Sequence, residues 1–143
     1  MTRVRARLLL GIVFILVSWS AGAQEIRREH HNVNVSAGRE GRLGYFASPD
    51  AACGKGAPPK IEVIERPNYG RLSTRPDRLK AYTENIPARA QNCRGKFVDV
   101  TAVYYKSASD FHGSDRVVLR VHFPGAANGP ASVLIDTVFI SVR

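Results

Sequence analysis

Residues Tyr104–Phe123, YYKSASDFHGSDRVVLRVHF, decide the fold. In the second half Val117, Leu119, Val121 and Phe123 share one parity while Val118, Arg120 and His122 share the other. That two-residue period predicts a strand with one face buried. Ahead of it lies a polar, turn-forming stretch in which Gly113 is free to take a backbone conformation barred to residues with a β-carbon. The whole segment reads as the hairpin at the centre of a small antiparallel sheet.

The same period continues on both sides. Val98, Val100, Ala102 and Tyr104 alternate with Phe97, Val103 and Tyr105, so both faces of this strand carry apolar content. From Val133 to Val142, Leu134, Val138, Ile140 and Val142 share a phase that Asp136 interrupts, and Val133, Ile135, Thr137 and Phe139 occupy the other. This favours a strand covered by the opposite sheet on one side and by loops or a partner on the other; a bulge near Asp136 that re-phases the strand is the alternative. Lys60–Arg66 alternates as a strand, Pro67–Gly70 turns the chain, and Arg71-Leu72 begins a short return strand. Val33 and Val35 suggest a further short strand after a polar, mobile entry from Gln24 to Asn34. These alternations predict an all-β domain in which two packed sheets fill a common core.

Ser73–Arg94 follows no such period. Leu79, Tyr82 and Ile86 fall at three- and four-residue intervals, which predicts a short helical turn limited by Pro87. With Arg71 before it, this stretch holds Arg75, Arg78, Lys80, Arg89 and Arg94, the candidate anion-facing surface. The competing reading is an ordinary charged surface loop.

The first 23 residues have the parts of a secretory signal peptide: Arg3, Arg5 and Arg7, an apolar run from Leu8 to Val17, and the small exit Ala21-Gly22-Ala23. Cleavage before Gln24 leaves residues 24–143 as a single domain, with 18 basic residues against 12 acidic ones and a net charge of +6. No later apolar run approaches the roughly 20 residues that span a bilayer, so no transmembrane segment is expected after cleavage. The expected location is periplasmic or extracellular. There a lone Cys53 and Cys93 pair as a disulfide, and closing 40 residues of chain stabilises by about 4 kcal/mol on loop entropy.

Motifs for chemistry are sparse. Gly54-Lys55-Gly56 lacks the spacing of a phosphate loop, and His30-His31 lacks the further ligands of a metal site. Neither a metal nor a cofactor is expected.

The order of four stretches resembles the bacterial immunoglobulin-like or cadherin-like modules of exported proteins: PNYGRL (Pro67–Leu72), AVYYKSASDFHGSD (Ala102–Asp115), VVLRVHF (Val117–Phe123) and VLIDTVFISV (Val133–Val142). The resemblance implies an immunoglobulin-like β-sandwich, with Phe111, Gly113 and Asp115 as structural corner residues. It transfers no calcium site, because the clustered acids of the calcium-binding relatives are missing. Lys106 and Val117 depart from the proline and the aromatic of that pattern.

The function expected is a non-catalytic exported interaction or envelope-associated structural module. Its partner would be an envelope protein or an anionic polysaccharide, and export argues against nucleic acid. The alternatives are a small envelope-polymer hydrolase using Asp110, His112 and Asp115, and an inhibitor or accessory subunit of an exported enzyme.

Overall fold

The computed structural model describes residues 25–47, 53, 57–81, 93–125 and 131–143. Among them run seven strands: β1 (Glu25–Val35), β2 (Glu40–Phe46), β3 (Lys60–Glu65), β4 (Gly70–Lys80), β5 (Phe97–Ser107), β6 (Gly113–Phe123) and β7 (Ser132–Val142). One sheet has the order β1-β7-β6-β3 and the other β2-β5-β4. All neighbours are antiparallel except β1, which runs parallel to β7 along its whole length. The two sheets form an all-β sandwich. The signal-like segment 1–23 lies outside the described residues.

The core follows from strand parity. Val117, Leu119 and Val121 of β6, Val138, Ile140 and Val142 of β7, and Val35 of β1 meet Leu43 and Phe46 of β2 and Val103 and Tyr105 of β5. Each such side chain stabilises the fold by roughly 1.5–3 kcal/mol relative to exposure. A second cluster joins Val98 and Val100 to Cys93, with Cys53, Ala47, Leu79 and Ala81 around them. Val98 and Val100 have the opposite parity to Val103 and Tyr105, and the β4–β5 ladder has no register shift. β5 therefore buries its inner face at one end and its outer face at the other, where the disulfide-linked Cys53 and Cys93 pack with Val98 and Val100.

Four expectations change. Tyr104–Phe123 is not a hairpin, because β5 and β6 belong to different sheets and the intervening turn crosses between them. Asp136 causes no bulge: the β6–β7 and β1–β7 ladders keep their register through it, and the shifts fall at Arg42/Gly44 and Val63/Glu65. The polar entry is mostly strand, since pairing with β7 supplies backbone hydrogen bonds whatever the side chains. The return strand runs on to Lys80 and takes Leu79 from the expected helical turn; Tyr82, Ile86 and Pro87 lie outside the described residues. Pro76 is tolerated because β4 is an edge strand, where a missing N–H need face no partner.

The crossing turn is locked at Asp115. Its buried carboxylate accepts hydrogen bonds from the backbone N–H of Asn68, Tyr69 and Arg116 and from the Tyr105 hydroxyl, all at 2.9 Å. One side chain thus ties both sheets to the β3–β4 turn. Gly70 is required beside it, because a β-carbon there would lie 2.3 Å from the Tyr105 ring. Phe111 stacks on Tyr69 at 4.2 Å, and Gly113 follows it with φ +147°. Burial, then the Asp115 carboxylate, push the Tyr105 hydroxyl far above its ordinary range.

Candidate functional site

Strand parity divides the expected anion-facing residues. Arg71 and Arg75 lie on the outer face of β2-β5-β4, whereas Arg78 and Lys80 project to the opposite face. Arg94 is exposed in the turn after Cys93, and Arg89 lies outside the described residues. Nor are the cations idle. Arg75 bonds Glu40 at 2.9 Å and covers the Tyr104 ring at 3.6 Å, while Arg78 pairs with Asp99 at 3.2 Å beside Phe97. Tyr104 in turn donates to Asp77 at 3.1 Å, and Arg42 lies 3.8 Å from the same carboxylate. On this outer face Arg75 and Arg42 are paired, while Arg71 and Lys106 form no ion pair with Glu40 or Asp77. The Arg75 guanidinium, with Ser73 behind it, holds the Glu40 carboxyl below the usual carboxylate range.

The residues of the hydrolase alternative also separate. Asp110 and His112 are exposed on the crossing turn, whereas Asp115 is buried with its carboxylate saturated by four donors. Among the described residues no three His, Cys, Asp or Glu side chains gather as metal ligands.

The outer face of the other sheet differs. Reading across its strands, Arg28 of β1 lies beside Ile135 of β7 and Arg120 of β6; His30 beside Thr137 and Val118; Asn32 beside Phe139 and Arg116. Arg28, Glu29, His30, Ile135, Thr137 and Phe139 line a groove of about 430 Å³. That volume lies in the range of ligand sites, roughly 300–1,000 Å³. Phe139 is 42% exposed and Ile26, on the same face, 54%.

The charge on this face is in excess. Arg116 is held by both oxygens of Glu65 at 2.6 and 2.8 Å. Glu62 alone serves three cations: Lys60 at 3.1 Å, His122 at 3.4 Å and Arg120 at 3.6 Å. Lys60, then His122, hold its carboxyl below the usual range. Arg28 has no carboxylate partner among the described residues.

Behind the groove, on the inner face, lies a second polar feature. Asp136 is buried among Val138, Ile140 and Leu119, directly across from Glu29. His31 places Nδ1 3.2 Å from Asp136 Oδ1 and donates from Nε2 to the Leu43 carbonyl at 3.2 Å, so it bridges β7 to β2. Asp136 Oδ1 receives no well-directed hydrogen bond. Burial, reinforced by Glu29 and opposed by His31, holds this carboxyl above its ordinary range. A sequence signal existed for this pair. Parity carried back from Val35 and Val33 puts His31 on the core face, and Asp136 shares the phase of Val138 and Ile140.

No protein-family model matches the chain, and no curated protein matches it. Among solved structures, the solution structure of amebosin aligns at 12% identity over 82% of this chain and 98% of that one, with a TM-score of 0.35. A likeness that weak carries no argument about fold or function.

Proposed function

We propose that this chain is an exported, non-catalytic interaction module that binds an envelope protein on the outer face of β1-β7-β6-β3. The observation that carries this reading is the 430 Å³ groove, with apolar Ile135 and exposed Phe139 on β7 and the Arg28 guanidinium beside His30 on β1. Its chemistry fits an extended protein segment in which an acidic side chain stands beside an apolar one. The apolar wall and the single unpaired guanidinium favour such a segment over an anionic polysaccharide, which needs cations in series.

An immunoglobulin-like arrangement is the finer fold reading. The order β1-β7-β6-β3 against β2-β5-β4 supports it, as does the crossing turn tied by Tyr105 and Asp115. The Cys53–Cys93 disulfide points to an oxidising, non-cytoplasmic environment, and a periplasmic or extracellular site of action follows from the signal-like N-terminus.

Crosslinking of the protein purified from an exporting host to its own exported fraction tests the reading. Arg28→Glu combined with Phe139→Ser should weaken capture of the same partner by at least about tenfold, the scale of a lost interface anchor. The crosslinks should map to an acidic, apolar segment. Arg71→Glu combined with Arg75→Glu should leave capture intact. If the second pair abolished capture and the first did not, the contact surface would be the other face.

A further inference from the structure

The inner face beneath the groove holds a buried acid with a half-exposed imidazole 3.2 Å away. We propose that His31 and Asp136 form a one-proton clamp that docks β1 onto the sandwich, so that rising pH releases the strand. The consequence for binding rests on the contact surface proposed above; the clamp itself does not.

Proton accounting makes the clamp one-sided. The Leu43 carbonyl only accepts, so His31 Nε2 carries hydrogen. Nδ1 then meets Asp136 either as a donor to a carboxylate or as an acceptor from a carboxylic acid. In both forms a single proton lies between the two groups. Removing it leaves the ring one hydrogen for two acceptors, so either the buried carboxylate or the Leu43 carbonyl loses its donor and one link of the bridge is broken. Adding another leaves the carbonyl oxygen of the acid to accept from Nδ1–H, so acidification preserves the contact.

Among the described residues the surroundings offer no substitute proton. On β1, Glu29 faces Asp136 in register and adds like charge, while Arg27 is engaged with Glu29 on the surface. β6 contributes Leu119, and β2 contributes Leu43 and Phe46 to the same interior. On β5, Val103 does not titrate, and Tyr105 is committed to Asp115. Burial already favours the protonated carboxyl, in keeping with a shared proton held against solvent. Arg28, Glu29 and His30 of the same strand wall the groove on its other side, so release of β1 dismantles that wall.

Amide hydrogen exchange on the protein purified from an exporting host tests the clamp without any partner. Rates are normalised to unstructured-peptide values at each pH, with β6 as internal reference. Between about pH 5.5 and about pH 9 the protection of β1 should fall by about tenfold relative to β6. In Asp136→Asn, whose amide donates to a neutral imidazole at any pH, that fall should vanish. His31→Gln provides the same test through a permanent donor should the first variant fail to fold. The nitrogen chemical shifts of His31 should report Nδ1 losing its proton as β1 loosens. Wild-type protection that stays level, or an unchanged fall in both variants, overturns the clamp. Once a partner is identified, its affinity should fall over the same range in the wild type only. Absence of binding at every pH would instead sink the contact surface and leave the exchange result standing.

Discussion

Asp115 and Asp136 are equally buried, at 6% and 4% exposure, and are held in opposite ways. Asp115 accepts from four donors, three of them backbone N–H groups fixed by the fold. Asp136 has Glu29 and His31 beside it and an oxygen without a well-directed hydrogen bond. The difference lies in what surrounds them. Asp115 stands near the start of β6 against the β3–β4 turn, where Asn68 and Tyr69 have left the ladder and have N–H groups to spare; around Asp136, in mid-strand, the backbone N–H groups are spent on the ladder. A buried carboxylate beside a turn therefore becomes an anchor, and one in mid-strand a liability.

The largest effect should come from Asp115→Ala, which strands three backbone donors and the Tyr105 hydroxyl. It should cost about 3–5 kcal/mol in urea denaturation, the scale of breaking a buried charged network. A loss below about 1 kcal/mol, the worth of one ordinary hydrogen bond, would erase the contrast between the two aspartates. Tyr105→Phe removes only one donor and should cost about 1–2 kcal/mol. Its pH dependence sharpens the point. The folded hydroxyl titrates above the unfolded value of about 10, so its contribution is complete below that pH and is lost above it. Denaturation midpoints of the wild type should drop in that alkaline range more steeply than those of Tyr105→Phe.

The smallest expected effect belongs to Asp136→Asn, and its sign changes with pH. The folded carboxyl keeps its proton to higher pH than the unfolded one, which releases it near about 4. Stability contributed by Asp136 is therefore present below that value and is lost as pH rises through the folded one. Relative to wild type, the Asn variant should gain stability across this window, by less than Tyr105→Phe loses, measured as the difference between the two unfolding curves. A variant that lost stability with rising pH would place Asp136 in the same class as Asp115.

Alternation made the sandwich legible. Val117, Leu119 and Val121, and Val138, Ile140 and Val142, were readable as core faces because period-two burial leaves a direct trace in sequence. The Cys53–Cys93 bond was readable from number and compartment. Parity does not reveal which sheet a strand joins, so the turn between Tyr105 and Asp115 looked like a hairpin when it is a crossing. β1 was harder still: its polar residues Arg27–Asn34 carry little apolar signal, and its strand state comes from a partner about a hundred residues away. The candidate cations were visible, but their acids are not near them in sequence. Glu40 lies on a different strand from Arg75, and Asp99 on a different strand from Arg78, so these ion pairs had no local signature. The groove was invisible for a related reason, since its two walls come from the first strand and the last.

The parallel pairing of β1 with β7 also sets an order of assembly. Glu25 cannot find Ser132, nor Val35 find Val142, until the last strand has been made and delivered. β2 and β4 can close on β5, and β3 on β6, well before that. Among the described strands β1 therefore closes the longest loop, with about a hundred residues between partners. Its Arg, Glu, His and Asn side chains suit that position, because a strand rich in charge resists association with other copies whenever it is unpaired.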